Sequence, residues 1–304
     1  MSENTVRDLS DVAETLLIPL YMRAMESQRP DALIKDVKAV ALVQQMNYDF
    51  SRFKFEDHDQ VAIVLRTREF DRHTRDFLAR NSRPTPAGRP RTAGQPRPTP
   101  AGRPRTAGQP QAVVVHIGCG LDARLERVAE RNSLVEWYDL DLPPVIELRR
   151  KLIGDEGAHH HLLDSSVFDA AWLEALSAQR QRPFLFLAEG FLMYFEEAQV
   201  KALVRTLREH FPGAELVCDA WSPLLVWMNN RRKAGCGVSA RYQWGLKRPE
   251  DIESWGDGIR LLDKWYLLDR PLPRLAASHQ WMRHFPPLAK SSGIFHYQLG
   301  QPKE

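Results

Sequence analysis

The string VVVHIGCGLDA, residues 113–123, sets a short and almost wholly apolar run directly before two glycines one residue apart, and a helical pattern follows it. A run of this kind reads as a strand buried on both faces. Gly118 and Gly120 allow a tight turn that lets a ligand approach the backbone, and the start of the helix beyond offers unpaired N–H groups. The strand, turn and helix together predict a small-molecule cleft at the strand's C-terminal end.

The same alternation runs outward from this string. Short apolar runs at 134–141 (LVEWYDLD), 159–163 (HHHLL), 184–189 (FLFLAE) and 214–220 (AELVCDA) alternate with amphipathic stretches near 122–131, 144–153, 169–178 and 196–210. Nearly continuous apolar strands alternating with helices predict a parallel sheet covered on both faces, an α/β fold. IRLLDKWYLL (259–268) and GIFHYQLG (293–300) read as two further strands at one side of that sheet.

Upstream, apolar residues recur at helical spacing in three stretches. They are Leu16, Leu17, Leu20 and Met25, then Leu33, Val37, Val40 and Val43, and finally about Val61 to Leu78. Residues 1–82 are thus expected to form a helical cap, and residues 111–304 the α/β domain. Between them, RPTPAGRPRTAGQP at 83–96 is repeated without change at 97–110. Eight prolines, four glycines and no large apolar residue in these 28 positions cannot offset the entropy of ordering, so a disordered, passive insert is expected.

Composition narrows the function classes. A hydrophobic share of 43% and a charged share of 27% are ordinary for a folded protein. Six of the arginines lie in the repeat with no acid, so the net charge of +3 becomes −3 for the rest of the chain, and a nucleic-acid partner is not expected. No apolar run approaches the roughly 18 residues of a membrane span, and the start is polar, so neither a membrane nor a secreted location is expected and the cytoplasm is. Cys119, Cys218 and Cys236 form no CxxC, which argues against a disulfide framework and a zinc site. His159, His160 and His161 do not read as metal ligands, because neighbours on a strand face opposite ways and no acid or cysteine has ligand spacing nearby in sequence. Cys119 reads as a small turn filler. The aromatic set Trp221, Trp227, Tyr242, Trp244 and Trp255 reads as core or lid, with an aromatic substrate pocket as the functional alternative.

Asp139 and Asp141 end the second strand, where an acid can accept hydrogen bonds from both hydroxyls of a ribose. Nucleoside binding follows from these residues alone. The nucleoside does not, because Gly118, Gly120 and Ala123 also fit a relaxed dinucleotide pattern, which leaves an NAD(P)-dependent oxidoreductase as an alternative.

VVVHIGCGLDAR, YDLDLPPVIELRRKL and FLAEGFLMYFEEAQV, in this order and spacing, resemble the leucine carboxyl methyltransferase superfamily, in its branch of tetracenomycin polyketide O-methyltransferase-like bacterial enzymes. The likeness extends to IPLYMRAMESQRPDALIKD, LRTREFD, SWGDGIRLLDKW and GIFHYQLG, and covers nearly the whole chain outside 83–110. It implies a class I methyltransferase fold, a Rossmann-like doubly wound sheet of seven strands with the last antiparallel. It also implies S-adenosyl-L-methionine as cofactor and O-methylation of a small-molecule carboxylate or hydroxyl, possible without a general base when the acceptor is already ionised.

By the same resemblance, Arg66 meets the methionine carboxylate of the cofactor, with Arg68 the substitute if the register differs. Gly118 and Gly120 form the cofactor loop. Asp141 binds the ribose, Asp139 being the alternative. Asp164 with Ser165 lies beside the adenine, where a helix cap is the competing reading, and Glu189 stands near the amino-acid end. No catalytic residue and no metal ligand is named. A cofactor-binding scaffold without activity is the non-enzymatic alternative.

Overall fold

The first strand after the repeat is buried at all six of its positions, as a strand covered on both faces must be. The protein is described by a computed structural model over residues 11–53, 57–81, 111–129, 135–154, 157–234, 241–269, 274 and 281–301. The 83–110 insert and Cys236 lie outside these residues. Seven strands are present among the described residues: β1 (Ala112–Ile117), β2 (Val135–Asp141), β3 (His160–Asp164), β4 (Phe184–Ala188), β5 (Ala214–Trp221), β6 (Arg260–Tyr266) and β7 (Ser292–Leu299). They form one sheet in the order β3-β2-β1-β4-β5-β7-β6. β1 to β5 are parallel, and β7 runs antiparallel to both β5 and β6. This is the seven-stranded doubly wound sheet, last strand antiparallel, that the family resemblance implies.

The α-helices among these residues are α1 (Asp11–Ser27), α2 (Val37–Gln45), α3 (Asp57–Asn81), α4 (Arg124–Val128), α5 (Pro143–Leu152), α6 (Ala171–Ala175), α7 (Glu197–His210), α8 (Pro223–Ala234) and the single turn α9 (Pro286–Ala289). Their starts are written in the sequence. Pro143 opens α5 where its missing N–H costs nothing, and Arg149, Arg150 and Lys151 close it against the helix dipole. Glu196 and Gln199 form a reciprocal capping box on α7. α4 is shorter than the 122–131 expected. Its N-cap, Ala123, supplies no side-chain hydrogen bond, and the acid before it, Asp122, is engaged by arginines instead.

The two faces of the sheet carry different layers. Trp172 and Leu173 of α6 and Val200, Leu203, Val204 and Leu207 of α7 join Val113, Val115 and Phe186 on one face. Phe70, Phe77 and Leu78 of α3 cover Val114, Leu185, Leu187 and Val217 on the other. The long α3 is thus a layer of the sheet core. α1 and α2 pack through Leu17, Leu20, Ala39 and Leu42 against Leu121 of the glycine turn and Leu148 of α5. This places the N-terminal helices beside the C-terminal ends of β1 and β2. Strand order reverses between β1 and β4, which leaves a crevice outside their C-terminal ends.

At the opposite side of α3, Glu69, His73 and Asp263 cluster closely enough to suggest a cation site. The cation there is Arg72, whose Nη2 lies 2.5 Å from Glu69 Oε1, 3.0 Å from Asp263 Oδ2 and 3.0 Å from His73 Nε2. Burial, Arg72 and His296 push the His73 pKa down from 6.5 to about 3. The unfolded chain takes up this proton below about pH 6.5 while the folded chain does not, so stability is expected to fall as pH drops from 6.5 toward 3. A tenfold difference in proton affinity between the two states corresponds to about 1.4 kcal/mol. Urea unfolding at pH 7 and at pH 4.5 should differ less in His73→Gln than in the wild type.

Candidate active site

Gly118 and Gly120 follow β1 with φ of +65° and +50°, in the left-handed region that an L side chain avoids. Space forbids a side chain at Gly118 as well, because a Cβ there would lie 2.3 Å from Cδ2 of Phe191. The N–H groups of Gly118 and Cys119 both donate to Leu140 O, at 2.8 and 3.3 Å. Gly120 N donates to Asp141 Oδ2 at 2.9 Å, and Leu142 N donates to Asp141 Oδ1 at 2.8 Å. The carboxylate of Asp141 is therefore fixed at the mouth of the turn. Burial pushes its pKa up, against the pull of these two N–H donors.

The other acid of the pair has a different task. Asp139 is wholly buried and takes hydrogen bonds from Arg149 and from Trp137 Nε1 at 2.9 Å, with His160 Nε2 at 2.6 Å. Arg149 also donates to the carbonyls of Gly120 and Asp122 at 3.1 and 2.8 Å. Asp139 thus clamps the glycine turn to α5 from below, whereas Asp141 meets the crevice.

A cavity of about 470 Å³ fills that crevice, within the usual range for a small-molecule site. Gly118, Gly120, Asp141, Ser165 and Glu189 stand on its wall. Asp164, exposed at the end of β3, is not among the wall residues, and its neighbours Ser165 and Ser166 are. Leu16, Pro19 and Arg23 of α1 close another side. The aromatic wall comes from Phe168, Phe191, Tyr194 and Phe195, none of them in the aromatic set singled out from sequence. Of that set, Trp244 and Trp255 are buried in the core, and Trp227 is 54% exposed with Arg231 stacked on it. Trp221 packs on Tyr242, whose ring lies 5.3 Å from Tyr194. The wall residues sit in the loops after β3 and β4, so the signal was the turn position, not the run of tryptophans.

Glu189, directly after β4, is a hub. Its Oε1 accepts from Arg66 Nε and Thr67 Oγ1, both at 3.0 Å, and its Oε2 accepts from Arg124 Nη2. Burial alone would raise its pKa, but Arg124 and Arg66 outweigh it and hold it down to about 2. Arg66 lies behind the wall with its guanidinium against Gly190, where a Cβ would come within 3.1 Å of Nη2. Arg68 is exposed on the other side of α3. Arg124 continues to Asp71 at 2.9 Å and Asp122 at 3.1 Å. Arg127 joins Asp71 to Asp36, the N-cap of α2, and Arg23 closes the chain onto Asp36 at 2.9 Å. A buried ionic network therefore runs from the cavity wall into all three N-terminal helices. Arg124 and Asp71 ended strings that were legible, LDAR and RTREFD, but nothing in sequence paired them.

His159 and His161 have an acidic partner that sequence spacing hid. Glu136 of β2 lies 3.1 Å from His159 Nδ1 and 2.7 Å from His161 Nε2. Glu136 is buried, with His159 exposed and His161 half-buried beside it, and none of the three is on the cavity wall. Among the described residues no helix is long and apolar enough to cross a membrane.

Comparison with known proteins fits this architecture. The family model described as leucine carboxyl methyltransferase matches residues 17–208. The tetracenomycin polyketide synthesis O-methyltransferase TcmP of Streptomyces glaucescens is 30% identical over 96% of this chain and 98% of its own length. The S-adenosyl-L-methionine-dependent methyltransferase dpfgK of Gibberella zeae is 25% identical over 86% of this chain and 84% of its own. In fold, a protein of Thermobifida fusca YX proposed to be a methyltransferase superposes with a TM-score of 0.54 at 16% identity, over 92% of this chain and 94% of that one. A family match across the glycine turn, both strand-end acids and the Glu189 hub, joined to a near full-length relative, leaves one assignment: this chain belongs to the leucine carboxyl methyltransferase family.

Proposed function

We propose that this chain is an S-adenosylmethionine-dependent O-methyltransferase acting on a small-molecule carboxylate or hydroxyl, of polyketide type, in the cytoplasm. The single observation that carries the reading is the crevice where β1 and β4 diverge, in which a turn with glycine at 118 and 120 faces a pinned carboxylate and an arginine-backed glutamate. The donor set fits the cofactor. Gly118 and Gly120 leave room for its backbone approach, Asp141 keeps acceptor capacity for two ribose hydroxyls, and Ser165 with Val167 and Phe168 offers a partly apolar slot for a purine. Arg66 answers the amino-acid carboxylate and Glu189 the ammonium, a pairing that guanidinium geometry favours.

When bound, S-adenosylmethionine supplies an electrophilic methyl group. The chain's part is to hold an acceptor oxygen in line with it and keep water out, and positioning of this kind supplies most of the acceleration in such a transfer. The apolar walls from Phe191, Phe195 and α1 serve the second task. An acceptor that is already a carboxylate needs no base, and no side chain is assigned one.

Titration calorimetry with S-adenosylhomocysteine, then with NAD and NADP, tests the cofactor. Binding of a nicotinamide nucleotide and not of S-adenosylhomocysteine would overturn the reading in favour of an oxidoreductase. Transfer of labelled methyl to a panel of carboxylic acids and phenols tests the activity, and cofactor binding with no turnover on any of them would leave a scaffold. Asp141→Ala is expected to weaken cofactor affinity by roughly tenfold or more, since charge-assisted hydrogen bonds are worth about 1.5–3 kcal/mol each and about 1.4 kcal/mol is a decade. Unchanged affinity in that variant would remove Asp141 from the ribose.

A further inference from the structure

We infer that Asp219 is a positioning residue, which sets the Arg66 guanidinium and the Gly190 backbone in one arrangement so that the cavity receives the carboxylate end of its cofactor. This rests on the reading of the cavity as an S-adenosylmethionine site. Asp219 lies on β5, the strand beside β4, and is 2% exposed. Its two oxygens reach different groups: Oδ1 accepts from Gly190 N at 2.7 Å, and Oδ2 accepts from Arg66 Nη1 at 3.3 Å.

Arg66 needs two anchors. Glu189 takes only Nε, which would leave the guanidinium free to swing about that bond. With Nη1 on Asp219 the plane is fixed along its inner edge, and the group is pressed on Gly190, where any Cβ would meet Nη1 and Nη2 at 3.1–3.2 Å. Gly190 itself has φ +63°, which its hydrogen bond to Asp219 helps to hold. One buried carboxylate from a neighbouring strand thus ties the turn after β4 to a side chain of α3. A preorganised fork spends less freedom per bond formed to a ligand carboxylate than a mobile one.

Asp219→Asn separates this role from a merely structural one. The amide keeps an oxygen for Gly190 N and turns an N–H₂ toward Arg66. Binding is measured by calorimetry for S-adenosylhomocysteine and for 5′-methylthioadenosine, which lacks the amino-acid end, with folding checked by thermal unfolding. The variant is expected to lose roughly five- to tenfold in S-adenosylhomocysteine affinity and less than twofold in 5′-methylthioadenosine affinity, and to add nothing to the loss in an Arg66→Ala background. Equal weakening of both ligands, or of neither, in a folded variant overturns the inference while leaving the cofactor reading intact. A wild-type protein that binds neither ligand overturns both. Should Asp219→Asn not fold, Asp219→Glu serves in its place, because it keeps the charge but displaces the two oxygens by one methylene, and the same selective loss is expected, with equal weakening of both ligands or of neither again overturning the inference.

Discussion

Arg124→Ala is expected to destabilise the fold by about 3–5 kcal/mol, the cost of leaving buried charges without their partner, against a total stability of about 5–15 kcal/mol for a typical domain. The guanidinium is 0% exposed and meets three carboxylates, Asp71, Asp122 and Glu189, while its plane lies 5.3 Å from the Phe70 ring centre. Without it, Glu189 keeps Arg66 and Thr67, but the link between the β4 end and the α3 acid is gone. Arg124→Lys should recover little, since a single ammonium cannot reach three acids set around a planar fork. A pH signature accompanies the loss. Glu189 is held down to about 2 in the folded protein, so its contribution is fully present above the ordinary glutamate value and is lost as pH falls toward 2. Without Arg124 the folded pKa rises, and this part of the acid limb should flatten. Urea unfolding at pH 7 and along the acid limb checks both parts. A loss below about 1 kcal/mol would mean that the network is not holding the N-terminal helices to the sheet.

Much of this was written in local sequence, because the features concerned are local. An almost wholly apolar run such as VVVHI is satisfied by burial on two faces, and a glycine pair directly behind it has few backbone options. Strand order could be expected only through the family likeness, since nothing in the run of β7 itself says that it slips between β5 and β6. The Asp139/Asp141 choice was open in sequence, and alternation could not decide it, because residues two apart on a strand face the same way; the two acids differ in their partners. Asp139 points to the face where Arg149 of α5 waits, and Asp141, at the strand's end, turns to the Gly120 N–H. Partners distant in sequence were not legible. Arg66 and Asp219 are 153 residues apart and Arg124 and Asp71 are 53 apart, and no periodicity connects such pairs. The Glu136 link to His159 and His161 was hidden for the same reason, as it depends on β2 and β3 being neighbours in the sheet.

Gly118→Ala is expected to weaken cofactor binding by at least tenfold and to lower stability as well. Two separate costs add. A left-handed backbone with a Cβ costs roughly 1–2 kcal/mol, and φ here is +65°. The new methyl also falls 2.3 Å from Phe191 Cδ2, and overpacking of this kind costs about 1–3 kcal/mol when side chains must leave their rotamers. Phe191 packs on Phe195 at 4.9 Å between ring centres, lines the cavity and is joined to Gly190, against which the Arg66 guanidinium lies, so the space it has to yield into is the cavity itself. Any shift of the ring therefore moves the wall of the cavity and its arginine together, so the steric part should appear in cofactor affinity as well as in unfolding. The two costs separate in a double variant. Phe191→Ala added to Gly118→Ala removes the collision and leaves the backbone cost, so the pair should unfold closer to Phe191→Ala alone than Gly118→Ala does to the wild type. Cofactor affinity in Gly118→Ala equal to that of the wild type would show that the turn after β1 is not where the ligand approaches the backbone.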